Sequence, residues 1–167
     1  MWLSKSPNGP SFKFNISNIH SMADLKLTGN CLKYSRPFLS FDGSFNDPTK
    51  PHLQLCKELL SQTFNTPKNH PKSKPFIDHV ISFTYFEDKI FFRNYQVLNQ
   101  EEQMFKATDD ISKLVLIEIG PRFTMQPIKA FQGSMGGEAL WQNEQFVAPA
   151  KLRSKKYETF QKKRNDK

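Results

Sequence analysis

The chain has 167 residues, 37% of them hydrophobic, and 24 Lys and Arg against 16 Asp and Glu give a net charge of +8. That length supports one compact domain or two small lobes with a real core, and the basic balance favours polyanion partners, nucleic acid ahead of an anionic membrane surface. Cys31 and Cys56 lack zinc or disulfide-framework spacing, no apolar run approaches membrane-spanning length, and the N-terminus lacks the basic-then-apolar order of a secretory signal.

"SPNGP" (Ser6–Pro10) is a turn, and "SFKFNI" alternates Phe12, Phe14 and Ile16 like a strand with one buried face. "SMADLKLTGN" holds a short helical segment closed by Gly29-Asn30, and "SRPFLSFDG" is extended until Asp42-Gly43. "PHLQLCKELLSQTF" predicts the clearest helix: Pro51 suits the first turn, and Leu53, Cys56, Leu60 and Phe64 share a face with Leu59 beside them. Pro67, Pro71 and Pro75 prevent that helix from continuing, leaving an extended, solvated arm that displays Lys68, Lys72 and Lys74.

"HVISFTYF" and "KIFFRNYQV" predict a hairpin turning at Glu87-Asp88. In its second strand Phe91, Arg93, Tyr95 and Val97 share one face, and Ile90, Phe92, Asn94 and Gln96 the other. "NQEEQMFKATDD" is a polar, acidic loop, and "KLVLIEI", the most apolar strand, is expected at the centre of the sheet. "PIKAF" continues the sheet after the Gly120-Pro121 break, with Phe123 inward and Arg122 outward. Residues 151–167 carry a net +6, leaving +2 for the other 150, so the excess charge is largely a terminal helix or tail with Leu152, Tyr157 and Phe160 as its apolar anchors. The whole is mixed α/β.

Catalytic patterns are sparse. His20, His52, His70 and His79 are scattered, and neither HExxH, GxSxG nor an EF-hand loop is present. Asp78-His79 is a conceivable base and orienter, more ordinarily a strand end. "GSMGG" lacks the GK[ST] of a P-loop, so Gly133, Gly136 and Gly137 suit a tight turn. Nothing calls for a metal or another cofactor. Polyanion contact fits better: lysines neutralise phosphates, and Arg93 with Tyr95, Arg122 with Phe123 and Lys129 with Phe131 set cations beside aromatics able to stack on unpaired bases. With 16 Phe, most aromatic rings belong to the core.

"MWLSKSPNGPSFKF", "LKLTGNCLKYSRPFLSF", "PKNHPKSKPFIDHV", "IFFRNYQV", "LIEIGPRF" and "FQGSMGG" resemble, in that order, the Brix-domain family over nearly all of residues 1–150. The resemblance implies an anticodon-binding-like mixed sheet with packed helices. It also implies a nucleolar, non-enzymatic factor that binds pre-ribosomal RNA (pre-60S) while the large subunit is assembled, with a dedicated partner such as an EBNA-binding-protein homologue. Carried across, the RNA-facing basic positions are Arg36, Lys68, Lys72, Lys74, Arg93, Arg122 and Lys129. Against the family pattern, residues 1–150 correspond to a domain lacking its N-terminal half and 151–167 to a basic tail; the first strands are then expected to show an unpaired edge. The competing reading is a protein-interaction scaffold of the pre-ribosome with incidental RNA contact; an enzyme holding phosphate at "GSMGG" is the third. For Arg122, the bland alternative is a pair with a neighbouring acid that locks the turn.

Overall fold

The computed structural model describes residues 1–67, 69–72, 77–99, 111–154 and Tyr157. Eight strands form a single curled, mixed sheet: β1 (Trp2–Ser4), β2 (Ser11–His20), β3 (Pro37–Phe41), β4 (His79–Phe86), β5 (Lys89–Leu98), β6 (Val115–Glu118), β7 (Arg122–Gly133) and β8 (Gly136–Gln142). Their main order is β1-β2-β7-β5-β4-β3, with β6 beside β5 and β8 beside β7. Among the described residues two α-helices connect strands, the single-turn α1 (Met22–Leu25) and the long α2 (Pro51–Phe64), and residues 149–154 are also helical. The chain is mixed α/β, as its patterning predicts.

Helix α2 follows the apolar spacing of its sequence, with Pro51 in the first turn. It is the crossover that lets β3 and β4 run parallel. Its buried Leu53, Cys56, Leu59 and Leu60 pack on Phe12, Phe14, Ile81, Phe83, Ile90, Phe92 and Met125 from four strands. Each fully buried leucine contributes about 1.5–3 kcal/mol, so this one helix face organises the sheet. Trp141 of β8 closes the far end by stacking on His52 at 4.1 Å, nearly parallel.

The β4–β5 hairpin turns at Glu87 and Asp88, both with positive φ (48° and 56°). Two positive values in sequence are what a tight hairpin of twisted strands requires. Here Tyr85 donates its hydroxyl proton to Asp88 Oδ1 at 2.6 Å, which helps hold a turn that lacks glycine.

The structure corrects the expected place of the most apolar strand. The apolar run at β6 is not central: β6 hydrogen-bonds to β5 alone among the described strands, and Val115 and Leu116 are 39% and 48% exposed. Where β2 would otherwise continue alongside, it ends with His20 opposite Arg122, beyond the Gly120-Pro121 break. The break itself is a bulge. Asn94 holds it by donating to the Gly120 carbonyl at 3.1 Å, and its own carbonyl receives the Ile119 N–H at 2.9 Å. Beyond Phe14, the outer edge of β2 carries no strand among the described residues.

Candidate nucleic-acid interface

Alternation along the strands separates two faces. The face toward α2 takes Ile90, Phe92, Phe123 and Met125, with Phe92 and Phe123 stacked at 4.4 Å. The opposite face therefore takes the intervening residues: Phe91, Arg93 and Tyr95 from β5, Arg122 and Thr124 from β7, and Ser82 from β4 opposite Arg93. Beyond a register shift, the same side of β7 presents Lys129 and Phe131, opposite Lys13 and Ser11 of β2. Arg122 and Lys129 stand seven residues apart on one strand, which spans about 23 Å.

Three of the expected basic residues thus share a surface: Arg93, Arg122 and Lys129. The Arg93 guanidinium donates to the Phe92 carbonyl at 2.8 Å and lies 6.0 Å from the Phe91 ring. Lys129 Nζ lies 5.4 Å above Phe131. Arg122 meets Glu118 at 3.5 Å with its side chain 37% exposed, so it has an acidic neighbour and an open side as well. Arg36 and Lys72 lie elsewhere. Arg36 is partly buried just before β3 and engaged within the protein, Lys72 is exposed in the turns after α2, and Lys68 and Lys74 lie outside the described residues, as do the acidic stretch 100–110 and Phe160.

Two residues of this face escaped sequence reasoning. Lys13 belongs to it because Phe12 and Phe14 point inward; the alternation of "SFKFNI" carried that signal. Trp2 belongs to it because β1 sets Trp2 opposite Lys13, a pairing no local pattern announces.

Asp78 and His79 form a latch. His79 Nδ1 is 2.7 Å from Asp78 Oδ1 and 3.1 Å from Ser35 Oγ, while Asp78 Oδ2 receives the Leu32 N–H at 2.5 Å. In a Ser-His-Asp relay, serine and aspartate occupy opposite ring nitrogens. Here both meet Nδ1, so no proton path runs between them. Burial pushes the Asp78 carboxyl up, but hydrogen bonds from His79, the Leu32 N–H and Ser35 outweigh it and hold the group below its ordinary 3.8. What the cluster does is tie the segment before β3 to the start of β4.

"GSMGG" is a hairpin tip. Its Met135 N–H is taken by Ser11 Oγ at 3.0 Å, Ser11 donates to the Gly133 carbonyl at 2.7 Å, and Ser134 meets Ser4 at 2.6 Å. The glycines serve close approach: a Cβ on Gly133 would lie 2.9 Å from the Gly136 carbonyl oxygen.

Residues 1–129 match the Brix domain. The chain belongs to the Brix-domain family. It is 51% identical over 149 residues to the Homo sapiens protein named Ribosome biogenesis protein BRX1 homolog, covering 89% of this chain and 38% of that one. Against the Drosophila melanogaster protein of the same name it is 48% identical over 155 residues, 92% of this chain and 39% of that one. The Saccharomyces cerevisiae Ribosome biogenesis protein BRX1 is 49% identical over 154 residues, 92% of this chain and 52% of the yeast protein. This Brix chain therefore spans roughly two fifths to one half of the length of these relatives.

Proposed function

We propose that this chain is a ribosome biogenesis factor that binds pre-rRNA during assembly of the large subunit and makes or breaks no covalent bond. Its relatives' names supply the process. The observation that carries the RNA reading is the convergence of Arg93, Arg122 and Lys129 on the sheet face away from α2. Arg36, Lys68, Lys72 and Lys74 supply further RNA contacts, the nucleolus is the place of action, and an EBNA-binding-protein homologue is the protein partner.

The test is titration of the full chain with structured rRNA fragments across a salt series. Each phosphate contact adds about 0.7–0.9 to the log–log slope, so the expected result is affinity that falls steeply with salt. Salt-insensitive binding, or none, overturns the reading.

A protein scaffold is the second reading, supported by an apolar end on the same face. Phe38 is 55% exposed in register with Val80 and Tyr95, and Leu116 is exposed nearby on β6. Deleting residues 151–167 separates the two: loss of all RNA binding with partner capture retained favours the scaffold.

A further inference from the structure

Lys13 and Lys129 stand directly opposite each other on β2 and β7. Trp2 faces Lys13 from β1, and Gln142 faces Lys129 from β8, so four strands set these side chains in one row. Like charges placed directly opposite destabilise a sheet. Among the described residues neither lysine has an ion pair to offset this. Each ammonium leans on a neighbouring ring, Lys13 on Trp2 and Lys129 on Phe131, which offsets part of the repulsion without neutralising either charge, whereas an anionic ligand would neutralise both.

The ligand's chemistry follows from what flanks the lysines. Trp2 is 38% exposed, and its ring lies 5.4 Å from that of Phe131 at an interplanar angle of 30°. Lys13 Nζ is 5.5 Å from the Trp2 ring and Lys129 Nζ is 5.4 Å from that of Phe131. A flat apolar surface beside two ammonium groups suits a phosphate joined to a base with a free face. Bases in a duplex have both faces stacked on neighbours, so a duplex can use the lysines but not the rings.

We propose that Trp2, Lys13, Lys129 and Phe131 form a subsite for an unpaired nucleotide of an RNA strand. The base stacks on Trp2, and the adjoining phosphate sits between the lysines. The subsite rests on the RNA-binding reading above and adds to it the single-stranded state of the RNA at this end of the face.

The experiment titrates the full chain with a single-stranded uridine oligomer of about 12 nucleotides and, separately, with an RNA duplex of the same length, following anisotropy and tryptophan fluorescence. The single strand is expected to quench fluorescence in the native chain and much less in Trp2→Leu. Trp2→Leu should weaken single-strand binding about 5- to 150-fold while duplex binding stays put. Trp2→Phe, which keeps a stacking surface, should recover most of the affinity. Lys13→Thr should lower the single-strand salt slope by about 0.7 with a melting temperature close to that of the native chain, because relief of the like-charge pair offsets loss of the contact with the Trp2 ring. Native single-strand affinity in Trp2→Leu at an unchanged melting temperature would remove the subsite and leave the wider RNA reading standing. Equal losses on single strand and duplex would also remove it. A native chain that binds neither RNA would remove both proposals.

Discussion

Arg122 and Glu118 face each other at 3.5 Å across the Gly120-Pro121 bulge, one on each side of the break in the sheet. The pair is partly exposed, so it contributes about 0–1 kcal/mol, and Glu118 Oε1 is buried without a hydrogen-bond donor among the described residues. Glu118 therefore restrains Arg122 more than it stabilises the fold. Glu118→Gln should leave thermal stability nearly unchanged and tighten RNA binding by freeing the guanidinium. Arg122→Gln, which removes the charge without setting a second carboxylate against Glu118, should also nearly keep its melting temperature but lower the salt slope by about 0.7–0.9. A clear loss of melting temperature in Arg122→Gln would show that the residue locks the turn rather than meeting phosphate.

The Asp78 latch makes a pH-dependent prediction. Its carboxyl is held below 3.8 in the folded chain, so the folded state favours the charged form more than the unfolded state does. That stabilisation is complete above the unfolded value and is lost as pH falls below it through the lower native value. Asp78→Ala removes a charged acceptor from the Leu32 N–H and from His79, at a cost of about 1.5–3 kcal/mol. Acid unfolding of the variant should accordingly be shallower near pH 4 than that of the native chain, as seen by circular dichroism across a pH series. Parallel acid profiles would mean the carboxylate is dispensable.

Much of this architecture is legible in local pattern. Helix α2 begins and ends where Pro51 and the Leu53, Cys56, Leu60, Phe64 spacing place it, and the split of β5 into an apolar and a mixed face follows from alternation. The same alternation puts Phe123 against Phe92 and turns Arg122 away. What stayed hidden depends on partners distant in the chain. An apolar run such as β6 reports burial tendency and not how many strands flank it, so its marginal place emerges only with the ends of β2 and the bulge. Trp2 joins the basic face through a strand pairing, and Ser35 and Leu32 join Asp78 through a loop more than 40 residues earlier in the sequence.

Gly29 shows the same limit. Its place after a short helical stretch suggests a helix stop, yet α1 ends at Leu25, and the next residue, Lys26, takes the left-handed capping conformation itself. Gly29 is needed because a Cβ there would lie 2.7 Å from the Glu118 carbonyl oxygen, a backbone atom that cannot swing aside. Gly29→Ala should cost about 1–3 kcal/mol by overpacking. At Gly43 a Cβ meets nothing within 4 Å, so Gly43→Ala should be neutral or stabilising by up to about 1 kcal/mol. Denaturant midpoints of the two variants check the contrast, and equal midpoints would refute the close approach at Gly29.

The marginal position of β6 is tested by two residues from one apolar run. Leu116 points to the face away from α2 and is 48% exposed, whereas Ile119, three residues on, is 2% exposed where the Asn94 carbonyl captures its N–H. A strand at the centre of a sheet would penalise truncation at either site. With β6 at the margin, Leu116→Ser should change stability by no more than about 0.5 kcal/mol, while Ile119→Ala should cost about 2–5 kcal/mol. Because Leu116 also belongs to the apolar end of the face, the same substitution probes the scaffold reading. Partner capture lost in Leu116→Ser, with RNA affinity and melting temperature intact, would locate protein docking there and leave the basic stripe to the RNA.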